Sequence, residues 1–182
     1  MSEDGNSSNT GKISKHVAWW VGVLAGIAGI AALVLTITGG DDFTVEEWAR
    51  EASAACDALE GEVTENNRVA VQLLAMVEPD GPGDRRDQLA ADAWTKLAGS
   101  ERKITGEMGK IQMPSSRQDT VQSLLEAMND VSDEDYGLAA DLRRLTFDSQ
   151  SFEKFAKQRN EYVAEVLNHL KTLEVTHCLP GQ

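Results

Sequence analysis

An all-α fold, one transmembrane helix followed by an antiparallel four-helix bundle, is predicted by three observations. An uncharged apolar run from Val17 to Thr38 precedes four segments of helical periodicity. All four prolines, Pro79, Pro82, Pro114 and Pro180, fall outside the periodic segments. Nowhere do β-branched residues alternate with polar ones over the length of a strand. The expected layout is a polar tail over residues 1–16, the span over 17–38, a linker over 39–43, the bundle over 44–178 and a short tail over 179–182.

The tail is short and rich in Ser, Asn and Gly, the composition of a disordered segment. The apolar run has 22 residues, about 33 Å as a helix, which matches a hydrocarbon core of about 30 Å. Trp19 and Trp20 are expected to act as interface anchors, with Lys12 and Lys15 just before them and only Arg50 basic soon after the span. That bias predicts a plasma-membrane protein with a cytoplasmic N-terminus and an extracytoplasmic bundle. A cleaved signal peptide, with Thr38 and Gly40 at the cleavage site, is the rival reading. Ala18, Gly22, Ala25, Gly26, Gly29 and Ala32 form a small-residue seam along the span, which would let two copies pack as a homodimer.

The first bundle helix is expected to open at Thr44, with Glu47 completing a capping box and Phe43 as a staple. It should then run about 34 residues to the Pro79–Gly83 loop. A second helix follows from Ala90, Trp94, Leu97, Ile104, Met108 and Ile111, with Glu101 standing at an apolar step and a kink expected near Gly99 and Ser100. Val121, Leu124, Leu125, Met128, Val131, Leu138, Leu142 and Leu145 mark a third segment, read as one helix or as two joined near Ser132, with the acidic run Asp133, Glu134, Asp135 in its middle. The fourth starts at Asp148 or Ser149, carries Phe152, Phe155, Tyr162, Val163, Val166, Leu170 and Leu173 on one face, and ends near Thr176. Short connections between helices of similar length imply an up-down-up-down arrangement. That arrangement puts Cys56 and Cys178 at one end, where a disulfide is expected.

Charge narrows the functional classes. The net charge is −13, and all but two of the 17 Lys and Arg and all but two of the 30 Asp and Glu lie from Asp41 onward. Nucleic acid is therefore an unsuitable partner, because phosphate binding needs a basic surface. No nucleophile elbow, phosphate loop, HExxH or CxxC occurs, so no catalytic or cofactor-binding residue is expected. Glu174 and His177 make an ExxH without the second copy that a di-metal bundle requires, so no metal is expected either.

Trp48 and Cys56 on the first helix, the Ala/Gly-rich span and a second Cys near the C-terminus resemble the uncharacterised single-pass anchored helical proteins of actinomycetes. That family implies a layout and no activity. The expected role is a membrane-anchored interaction or scaffold protein that meets another envelope protein. The alternative is a module holding a small molecule between its helices.

Overall fold

The computed structural model describes residues 43–78, 85–175 and 178. Four helices are present: α1 (Val45–Leu74), α2 (Arg85–Met108), α3 (Gln118–Arg144) and α4 (Ser149–Thr172). A single 3-10 turn over Ser115–Arg117 leads into α3.

Each helix end has a local cause. Thr44 Oγ1 accepts from the Glu47 amide at 3.2 Å, and Glu47 Oε2 accepts from the Thr44 amide at 2.9 Å. This is the predicted capping box, and it satisfies two amides that have no partner inside the helix. Beyond Leu74 the chain tightens, with the Met76 and Val77 amides bonded to Leu73 and Leu74 carbonyls. Val77 thereby turns back into the core, and α1 is 30 residues long, shorter than expected. Asp148 caps α4 by accepting from the Ser151 amide at 2.7 Å.

Two C-termini close on left-handed residues that are not glycine, Leu145 (φ 57°) and Glu174 (φ 58°). In both, the following residue's amide reaches back five positions, Thr146 to Asp141 and Val175 to Leu170. This closure satisfies helix-end carbonyls that would otherwise be unpaired. Val175, just after Glu174, is buried, as is Cys178.

At Gly99 and Ser100, where a kink was expected, α2 continues as one helix. Ser100 Oγ spends its hydrogen on the Leu97 carbonyl at 2.8 Å. Likewise α3 is one helix, and Ser132 Oγ bonds the Met128 carbonyl at 3.2 Å without breaking it.

Cross-helix pairs establish the directions. Asn66 with Ser100 and Glu62 with Lys103 run α1 against α2, Asp92 with Arg143 and Asp133 with Arg102 run α2 against α3, and Asp135 with Arg159 and Asp130 near Glu165 run α3 against α4. Each helix packs antiparallel on its neighbour in sequence, whereas α1 and α4 barely approach one another. A disulfide between Cys56 and Cys178, with Cα atoms 4.9 Å apart, joins those outer helices at one end, as the sequence predicted. Trp48, Leu97, Met108, Leu124, Leu142 and Leu173 are fully buried and form the heart of the core.

The anchor-plus-bundle fold class is corrected here to four helices in bundle-like packing. Among the described residues no helix is long and apolar enough to cross a membrane. The reason is that each helix is amphipathic, with charge along its outer face, as Glu46, Arg50, Glu60 and Arg68 show on α1. The span expected over Val17–Thr38 lies outside the described residues, with its seam of Ala18, Gly22, Ala25, Gly26, Gly29 and Ala32 and its anchors Trp19 and Trp20. Single-pass localisation, integral membrane partnership and a homodimer through the span therefore find no helix among the described residues to carry them, and none is retained.

Candidate functional site

The chemistry in the described core is concentrated where α2, α3 and α4 meet. Glu101, Asp135 and Arg159 each occupy a step of an otherwise apolar helix face, so folding the helices together carries all three charges inside. Asp135 is fully buried, the Arg159 side chain is 9% exposed and that of Glu101 is 16% exposed.

Arg159 grips Asp135 with two hydrogen bonds, Nε to Oδ1 at 2.6 Å and Nη2 to Oδ2 at 3.1 Å. Nη2 also reaches Glu101 Oε1 at 3.2 Å. The guanidinium carbon lies 5.7 Å from the centre of the Trp94 ring, and Trp94 meets Phe155 edge to face at 5.4 Å. A forked donor, a carboxylate and an aromatic face form a strong combination away from water.

Two carboxyls share this one cation. Glu101 Oε2 is buried and receives no hydrogen bond, while its carboxyl neighbours that of Asp135. If both were ionised, a net negative charge would sit in the core, at a cost of several kcal/mol. A proton on Glu101 removes that charge and lets its carboxyl donate to Asp135. Burial first, and then the charge of Asp135, hold the Glu101 carboxyl well above the usual glutamate range, with Arg159 working against the rise. Burial also raises Asp135, although the charge and hydrogen bond of Arg159 oppose it. For Arg159, burial disfavours the cation, but the charges of Asp135 and Glu101 outweigh it and the pKa is raised.

Around the triad the α3 surface has the same tendency. Asp130 is raised by partial burial and by Asp133, Glu165 and Glu126. Partial burial also raises Glu134 against the pull of Lys154, helped by Asp135, Asp130 and Asp133. Arg102 partly offsets this acidity by pairing with Asp133 and lying 4.7 Å from the Tyr136 ring centre.

Of the residues singled out from sequence, Cys56 and Cys178 are brought together and bonded, and Trp48 and Trp94 are buried in the core with their indole N–H groups unpaired. Glu174 lies past the end of α4 in a left-handed turn, so the ExxH does not continue a helix, and His177 is outside the described residues. Among the described residues no group of His, Cys, Asp and Glu is arranged to hold a metal ion. Sequence reasoning passed over Asp135 and Arg159. The signal for Arg159 was its place four residues after Phe155 on the apolar face, and Asp135 was concealed in an acidic run that reads as solvated.

No protein family, curated protein or solved structure matches the chain. The resemblance to actinomycete anchored helical proteins is therefore withdrawn: a Trp, two Cys and an apolar run make up a layout that unrelated helical chains can share. With it go the membrane-anchored scaffold role and the envelope partner.

Proposed function

We propose that the four helices form a non-catalytic, disulfide-closed module whose packing responds to protons. One observation carries the reading: two core carboxyls share a single guanidinium, and one of their oxygens, Glu101 Oε2, has no donor. Such an arrangement binds one proton more tightly folded than unfolded, so the stability of the fold is linked to pH. The non-catalytic part rests on the same geometry. The groups best suited to acid–base chemistry are engaged with one another in the core.

The test is a carboxyl-resolved NMR titration of the oxidised protein. Glu101 is expected to stay protonated at pH values where the exposed glutamates have ionised, and Asp135 to shift in step with it as a coupled neighbour. Titration of Glu101 together with the surface glutamates would refute the proposal.

A further inference from the structure

We infer that α4 is the part that answers the proton: when Glu101 ionises, the N-terminal half of α4 lifts from α2 and α3, while the Cys56–Cys178 bond holds its C-terminal end in place. This inference rests on the proton-responsive reading and names the moving element.

The packing of α4 is one-sided. It lies on α3, and α1 scarcely reaches it. Its two ends are held by different means. Toward the C-terminus, Val166, Leu170, Leu173 and Val175 are buried, and the disulfide follows directly. These attachments are apolar or covalent, and pH does not change them.

Toward the N-terminus the hold on α2 passes through Arg159 to Glu101 and through Phe155 to Trp94. Both contacts gather around the guanidinium, since Trp94 also faces it. The charged groups facing Glu101 are Asp135 from α3 and Arg159 from α4. At this level α1 contributes Asn66, an uncharged side chain bonded to Ser100 Oγ at 3.3 Å. No second cation among the groups facing Glu101 therefore takes over when the proton leaves.

Loss of the proton puts two carboxylates against one guanidinium in a poorly solvated site. Admitting water relieves this imbalance. Opening between α1 and α2 would leave the triad covered, since its residues lie on α2, α3 and α4, and opening between α2 and α3 would break the packing of the two central helices around Leu97, Met108 and Leu124. Lifting the start of α4 disrupts one-sided packing alone, and the tether at Cys178 makes the movement a hinge instead of a detachment.

The experiment is hydrogen–deuterium exchange of the oxidised full-length protein, from about pH 4 to about pH 9, corrected for the intrinsic pH dependence of amide exchange. In the wild-type chain, protection of amides over residues 152–163 should fall by up to tenfold per pH unit while Glu101 releases its proton. Protection over residues 166–173 and in α1 to α3 should hold. In Glu101→Gln, whose amide still donates to Asp135 without titrating, the profile of residues 152–163 should be flat. Glu101→Met serves as a second non-titrating variant if the first folds poorly.

Three results would overturn the inference: pH-independent protection of residues 152–163 in the wild type, equal loss across all four helices, or an unchanged pH profile in both variants. Should NMR show Glu101 protonated above the surface glutamates while α4 stays protected, the hinge fails and the proton-responsive reading stands. If Glu101 titrates with the surface glutamates, both fail.

Discussion

Replacing Arg159 with Met removes the guanidinium but keeps most of the aliphatic stem beside Trp94. Three hydrogen bonds disappear, at 2.6 and 3.1 Å to Asp135 and 3.2 Å to Glu101. Asp135, fully buried, is then left without its cation. Breaking a buried pair from one side costs about 3–5 kcal/mol, a large share of the 5–15 kcal/mol typical of a domain. Because a buried carboxylate can take up a proton, the loss should depend on pH. At about pH 8 the variant should unfold in urea with the full deficit, and near about pH 4, with Asp135 protonated, with less than half of it. Urea midpoints at several pH values, with the slope checked for constancy, provide the measurement. A deficit under about 1 kcal/mol at high pH, or one that does not change with pH, would refute the electrostatic account. The triple replacement Glu101→Leu, Asp135→Leu, Arg159→Met is the control: with no charge left buried, it should recover most of the stability.

Four further outcomes follow from the same structure. Glu101→Gln should flatten the stability profile on the alkaline side: the raised carboxyl contributes fully below the ordinary glutamate range, and its contribution is lost as pH rises through the folded-state pKa, a decline the amide lacks, readable in thermal melts. Reducing the Cys56–Cys178 bond, which spans 122 residues, should lower stability by about 4–5 kcal/mol if chain entropy dominates; a change in urea midpoint corresponding to less than about 1 kcal/mol would assign the bond little role. Leu145→Gly should stabilise by about 1 kcal/mol, since Leu145 is 56% exposed and left-handed, and a calorimetric melting temperature that falls would refute this. Thr44→Ala should cost about 1 kcal/mol through loss of the cap, with exchange of the first-turn amides of α1 accelerating before any other region.

Much of the fold was legible because helix faces and helix stops are local. Thr44 with Glu47, and Asp148, announced their caps, Pro114 fell between α2 and α3, and the spacing of Trp48, Trp94, Leu124 and Val166 marked the inward faces. Short connections implied antiparallel neighbours, and that in turn brought Cys56 to Cys178. Where expectation failed, the missing term was tertiary. Ser132 left open whether the third segment was one helix or two, and the structure shows one, with the Ser132 hydroxyl bonded to the Met128 carbonyl. The helix ends at Leu145 and Glu174 lacked the usual glycine, and only the backbone shows that both are left-handed.

The triad shows the same division. Glu101 already stood out in the sequence as an acid on an apolar face, because helical periodicity is one-dimensional information. Whether that acid is solvated, paired or protonated depends on which residues of α3 and α4 arrive opposite it. Sequence alone therefore determined four amphipathic helices, their caps, the acidic surface and the pairing of the cysteines. The tertiary structure decided that one cation serves two carboxyls, and that a covalent bond ties the outer helices α1 and α4 where their backbones approach little, because burial and opposition are properties of packed helices and not of any single one.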